Sequence, residues 1–206
     1  NKSGCPYMVL ISKKNSELFG FIRSQLDLPE SVRISPCRAR MFCVPVHYTD
    51  LWKIRAPLKA VEGFRTTHFD KIIEAAADVS DCNVEPQPLW EYPAIALGSP
   101  VQAMELDLTK KVPEKNESFT GECEVSDKSR PVNGVALWME WSLDEDNVVS
   151  GGPVEEVRVG SPISWDMDSK QGVHFLSSSS SDISRLNYTI ELVPSEGDFT
   201  FKFEPM

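Results

Sequence analysis

The chain reads as a mainly β protein, a β-barrel or barrel-like sandwich with two short helices, α+β overall. Three observations predict this. Val135, Leu137, Met139, Trp141 and Leu143 alternate with Ala136, Trp138, Glu140 and Ser142 in the longest period-two run of the sequence, which is the signature of a strand. Near the end, Leu186/Tyr188/Ile190/Leu192 and Phe199/Phe201/Phe203 flank Pro194-Ser195-Glu196-Gly197-Asp198, a hairpin signal because Gly takes the positive φ such loops need. Helical periodicity is confined to two segments.

The first helix is expected over residues 16–26, where Leu18, Phe19, Ile22 and Leu26 share a face, Asn15 or Ser16 can cap the start, and Pro29 follows the end. From Val32 to Tyr48 the pattern turns to β, with Met41-Phe42-Cys43-Val44 and Val46 apolar enough for burial on both faces. Pro36 and Pro45 belong at a strand start, an edge or a bulge, since neither can donate to a ladder. The second helix is expected over residues 67–79, with a stripe of Phe69, Ile72, Ile73 and Ala76 and a cap at Thr66 or Thr67. Its apolar face must be covered, either by the open end of its own barrel or by another domain. Strands follow over residues 101–108, 121–126, 135–143 and 171–176, and residues 110–118 and 177–184, the latter with a run of five serines, read as solvated loops. Trp138 and Trp141 fall on opposite faces of one strand, which places that strand in the middle of the fold with both sides covered. The organisation predicted is a connecting segment with an amphipathic helix over residues 1–30 and a barrel over residues 31–206, with a helical insertion at about 67–79.

At 206 residues the chain can bury a real core, and 41% hydrophobic with 25% charged residues is an ordinary globular composition. No apolar run approaches the roughly 20 residues of a membrane helix, and Tyr7 to Ile11 lacks the basic flank and cleavage site of a secretory signal. A net charge of -10 disfavours nucleic acid and favours cationic partners. Five cysteines without a C-x-x-C pair argue against a disulfide framework or a zinc site and fit a reducing compartment, cytoplasmic or nuclear. On that footing the glycosylation-type triplets at Asn116 and Asn187 are accidental.

Several motifs occur in a particular order: Asp50-Leu51-Trp52-Lys53-Ile54-Arg55, Val61-Glu62-Gly63-Phe64, Pro88-Leu89-Trp90-Glu91-Tyr92-Pro93, Leu106-Asp107-Leu108, Val135-Ala136-Leu137-Trp138-Met139-Glu140-Trp141, Lys170-Gln171-Gly172-Val173-His174-Phe175-Leu176, and the strand pair from Tyr188 to Phe203. In that order they resemble the carboxyl-terminal β-barrel of the second, degenerate module of the protein arginine N-methyltransferase 7 family. The resemblance implies a parent protein that transfers methyl groups from S-adenosylmethionine to protein arginine, mainly to the monomethyl product, with histones and other arginine-rich proteins as substrates. It also implies that the helix over residues 67–79, through Phe69, Ile72 and Ile73, docks on the cofactor-binding domain of the same protein or of a partner subunit. The carboxylate pair that grips the guanidinium would lie upstream of this stretch.

The chain itself carries little of that chemistry. A cofactor site for S-adenosylmethionine needs a strand, a Gly-rich turn and a helix; the one adjacent glycine pair, Gly151-Gly152, opens no helix. The family's Thr-His-Trp loop before a Lys-Gln pair is reduced to Trp165-Asp166-Met167-Asp168-Ser169 followed by Lys170-Gln171, so Trp165, Lys170 and Gln171 mark a remnant pocket loop without its histidine. No catalytic, cofactor or metal residue is expected here. His47, His68 and His174 lack metal-pair spacing and read as surface or hydrogen-bonded. Asp144-Glu145-Asp146-Asn147 lacks the spacing of a calcium loop and reads as a turn, and Glu155, Glu156, Asp166 and Asp168 read as solvated acids. The tryptophans suit core packing better than a cation cage, with Trp90 and Trp52 anchoring the segments beside them. The expectation is a structural, docking fragment that needs no cofactor of its own. The rival reading is a free-standing β-sandwich module that binds a peptide or glycan, which would show an exposed aromatic patch, whereas the fragment reading predicts an apolar patch on the 67–79 helix.

Overall fold

The computed structural model describes residues 33–55, 58–79, 83–111 and 113–206. The helix expected over residues 16–26, with Cys5 and Cys82, lies outside them. Twelve strands occur among the described residues: β1 (Arg38–Tyr48), β2 (Ala60–Val61), β3 (Phe64–Arg65), β4 (Glu85–Gln87), β5 (Ala94–Ala96), β6 (Val101–Asp107), β7 (Glu117–Glu124), β8 (Val132–Ser142), β9 (Val148–Ser150), β10 (Gln171–Ser180), β11 (Arg185–Val193) and β12 (Asp198–Pro205). Two helices join them, α1 (Asp50–Arg55) and α2 (Thr67–Val79).

The framework is the antiparallel pair β1 and β8, in unbroken register from Arg38↔Ser142 to Val46↔Gly134. The outer edge of each forks. β1 pairs with β6 through its first half and with β5 through its last three residues. β8 pairs with β10 near its start and with β9 near its end. Opposite this curled seven-stranded sheet stands a three-stranded one in the order β12-β11-β7.

Alternation along β1 and β8 divides their side chains between two cores. Ala39, Met41 and Cys43 with Val135, Leu137, Met139 and Trp141 face the three-stranded sheet and meet Leu186, Ile190, Phe199, Phe201 and Phe203. Burying a phenylalanine contributes roughly 1.5–3 kcal/mol before ordering costs, which makes β12 a main anchor of the barrel. Val44, Val46, Tyr48, Ala136 and Trp138 point the other way, where Leu89, Ile163 and Trp165 cover them. Trp138 and Trp141 therefore lie on opposite faces of a strand covered on both sides, as the alternation predicts.

Pro45 sits inside β1, opposite Val135, and not at a strand start. The interruption between β6 and β5 accommodates it. Its carbonyl accepts Leu97 N–H at 2.9 Å on that side, and in an antiparallel strand a residue's N and C=O face the same neighbour, so the missing donor falls where the edge is already broken. Gly197, at φ 61, closes the β11–β12 hairpin.

The serine run departs from expectation. β10 continues through Ser180, which pairs with Val132 after a register shift; backbone pairing to a buried neighbour outweighs a polar composition. β7 likewise begins at Glu117 and ends at Glu124, earlier than the 121–126 strand expected, because it follows the register of β11 from Leu192↔Glu117 to Arg185↔Glu124. Residues 50–55, which show no period of their own, form α1, with Leu51 buried and Trp52 tilted against Phe175 at 6.1 Å.

Candidate functional site

The remnant pocket loop marked by Trp165, Lys170 and Gln171 ends a longer segment, residues 151–170, that folds back on itself. Pro153 bridges Trp165, and Val154 N–H donates to Ser164 C=O at 3.0 Å. β5 holds the loop from the side: Ile163 N–H donates to Ala94 C=O at 2.9 Å and Ala96 N–H to Ser161 C=O at 3.0 Å. Trp165 is 6% exposed and meets Trp138 edge-on at 5.7 Å. Trp138 in turn stacks on Phe42 at 5.5 Å. The three rings form a packed aromatic row, so Trp165 supports the loop from below. The acids Glu155, Glu156, Asp166 and Asp168 are all exposed, as is Lys170.

Gln171 has the opposite fate. It is 1% exposed. Its Nε2 donates to Gly151 C=O at 3.1 Å and to Ser169 Oγ at 2.8 Å, and its Oε1 accepts Leu89 N–H at 3.3 Å. One side chain thus ties both ends of the loop to the Pro88–Pro93 motif. Leu89, fully buried, is the anchor of that motif; Trp90, expected to be so, is 40% exposed. The turn at residues 89–91 turns Leu89 inward and its neighbour outward.

These residues do not fit S-adenosylmethionine. Gly151-Gly152 leaves β9 for an irregular stretch, and a Cβ at Gly152 would lie 2.4 Å from Trp138 Nε1, so this glycine serves close packing on an indole and leaves no cradle for a nucleoside. Among the described residues no group of three His, Cys, Asp or Glu is placed to hold a metal ion. His47 and His174 satisfy their Nδ1 on the carbonyls of Pro131 and Asn83, each at 2.8 Å. Asp144 caps its own turn, accepting from Asp146 N–H and Asn147 N–H, which with the Asn147 side-chain amide first among the causes lowers its pKa.

A second candidate site is the arm formed by β2, β3 and α2. The hairpin turns at Glu62 and Gly63, both at positive φ. Asp70, in the first turn of α2, fastens the hairpin to the helix: its carboxylate accepts Leu58 N–H at 2.7 Å, Lys59 N–H at 2.9 Å and the Thr66 hydroxyl at 3.0 Å. Thr66 thus donates its hydroxyl to Asp70 and accepts Asp70 N–H on its carbonyl. The one sequence signal of Asp70 is an acid placed in a helix's first turn.

Phe69 is 55% and Ile72 66% exposed, Ile73 is half-buried, and Phe64 and Val61 on the hairpin are exposed too. None of the described side chains of α2 joins either hydrophobic core. The site offers an apolar surface.

No protein-family model matches the chain. It is 43% identical over 191 residues to protein arginine N-methyltransferase 7 of Drosophila melanogaster, and 38% identical over 194 residues to that of Drosophila mojavensis. Each alignment takes in 90% of this chain and 27% of the relative, so the chain spans about a quarter of the length of the curated proteins it matches. Among solved structures, the PRMT1 enzyme–prozyme heterotetrameric complex of Trypanosoma brucei with AdoHcy aligns with a TM-score of 0.56 at 13% identity, over 100% of this chain and 63% of that one. That likeness concerns the fold alone, and it agrees with the half-barrel described above. By sequence, the chain is homologous to a region that makes up about a quarter of protein arginine N-methyltransferase 7 of Drosophila.

Proposed function

We propose that this chain is the architectural barrel of an arginine methyltransferase, and that α2 docks it on a cofactor-binding domain, in the same protein or in a partner subunit. The observation that carries the reading is the arm: Phe64, Phe69 and Ile72 stand exposed on a hairpin and helix locked together by Asp70. Apolar patches of this kind mark interaction sites. The parent would transfer methyl groups from S-adenosylmethionine to arginine, mainly to the monomethyl product, on histone-type and other arginine-rich proteins. The net charge of -10 favours such cationic substrates. The chemistry belongs to the domain that the arm would grip, and the barrel's own loop is filled by Trp165 and Gln171. An enzyme–prozyme assembly, as in the Trypanosoma complex, is one form such a pairing takes. A cytoplasmic or nuclear setting suits this work and the unbridged thiols.

Sedimentation velocity of the chain with a separately expressed cofactor-binding domain tests the docking. Phe69→Asp or Ile72→Asp should weaken association at least tenfold, since a buried charge replaces an apolar contact. Unchanged association in both variants would refute the assignment of the arm. The rival binding-module reading has only Trp90 as an exposed tryptophan among the described residues, because Trp138, Trp141 and Trp165 are buried and Trp52 is partly so.

A further inference from the structure

We propose that Cys43 and Cys123 form a redox site inside the barrel, where oxidation by a peroxide joins them in a disulfide that locks the seven-stranded sheet to the three-stranded one. The two sulfurs lie 3.4 Å apart, although 80 residues separate them in sequence. Both side chains have no solvent exposure. Cys43 stands on β1, between Leu137 of β8 and Val101 of β6. Cys123 stands on β7, paired with Leu186 of β11. A bond between them would therefore cross the core and link the central strand of one sheet to the edge strand of the other. Closing to a bonded distance of about 2.05 Å needs a shift of little more than 1 Å, within reach of side-chain rotation.

The pair is unequal. Its mutual hydrogen bond, then burial, pushes the Cys43 thiol well up, and the same hydrogen bond lowers Cys123. The thiolate is the reactive form, and the position of Cys123 in the fold makes it the thiol that a small oxidant reaches first. It lies on the edge strand of the smaller sheet, the strand with a neighbour on one side only, which can open locally to admit a small oxidant. Cys123 sulfur attacks one peroxide oxygen, the O–O bond breaks, and the product is a sulfenic acid with release of one water. Cys43 sulfur then attacks Cys123 sulfur, its proton leaves with the hydroxyl as a second water, and the S–S bond forms. Two thiols are oxidised and one peroxide is reduced to two waters. Cys37, the third described cysteine, takes no part, because its thiol donates to Ser142 C=O at 3.4 Å, at the end of the β1–β8 pair.

The test treats the folded, reduced chain with hydrogen peroxide, alkylates the remaining thiols in denaturant and maps the peptides. The expected result is one dominant cross-link, Cys43 to Cys123, with Cys37 alkylated. The thermal midpoint should rise by about 5–10 °C, because the bridge closes a long loop in the unfolded chain, and a dithiol should reverse the rise. Cys123→Ser and Cys43→Ala should each abolish the cross-link and the rise. The wild-type map decides the question even if a variant folds poorly. Recovery of Cys43 and Cys123 both alkylated, or a dominant bridge to any other cysteine, would overturn the proposal.

Discussion

Gln171 Oε1 accepts the backbone N–H of Leu89 at 3.3 Å across 82 residues of sequence. The same side chain holds Gly151 C=O and Ser169 Oγ through its Nε2, so the pair Lys170-Gln171 has divided its work. The lysine faces solvent, and the glutamine cross-ties three segments of the barrel wall.

Gln171→Ala should destabilise the chain by roughly 2–4 kcal/mol in urea unfolding, because a buried N–H and a buried C=O lose their partner together. Gln171→Glu should do at least as much harm, since a carboxylate cannot donate to Gly151 C=O. A loss below about 0.5 kcal/mol in both variants would mean that water or a local shift replaces the amide.

Asp70→Asn should loosen the arm and spare the barrel. The carboxylate accepts two backbone N–H groups and one hydroxyl; an amide offers one oxygen and turns an N–H toward another. Hydrogen exchange over residues 58–66 should accelerate about tenfold or more, the scale of a lost charge-assisted bond. The unfolding midpoint of the barrel should hardly move, because none of the described side chains of α2 joins either core. Unaltered exchange in the hairpin would show that Asp70 does not fasten it.

His174 supplies a pH dependence. Its ring lies tilted against Phe203 at 4.8 Å, and its Nδ1 donates to Asn83 C=O. Burial lowers its pKa, and the hydrogen bond to Asn83 only partly offsets this. Below pH 6.5 the unfolded chain therefore binds the proton more readily than the folded one, and stability falls as pH drops from 6.5 toward the lower folded value. Above 6.5 the group is neutral in both states and contributes no slope. His174→Gln should flatten the fall in urea midpoint between pH 6.5 and 5; an identical fall in the variant would assign it to other groups.

The parts of this fold that a sequence displays are those in which local pattern and tertiary demand agree. β8, β11 and β12 alternate because one face of each meets the phenylalanine-rich core, and α2 keeps a 3.6-residue stripe over Phe69, Ile72 and Ile73. Where long-range packing decides, the local signal fails. Six residues are too few for α1 to show a period, and the serines of β10 pair despite their composition. The resemblance singled out Trp165 and Gln171 as a pocket remnant, but only the fold shows one as a prop beneath the loop and the other as a tie across it. Asp70 acts through a hairpin eleven and twelve residues behind it, and Cys43 meets Cys123 only because two sheets face each other. No spacing rule reports either contact.

The measurement that bears most directly on the account is isothermal titration of this chain with S-adenosylmethionine and with its demethylated product. A barrel whose loop is propped by Trp165 and whose Gly152 is packed on Trp138 should give no heat of binding with either. Micromolar affinity would contradict this, because it would place a cofactor site among the residues that pack the loop.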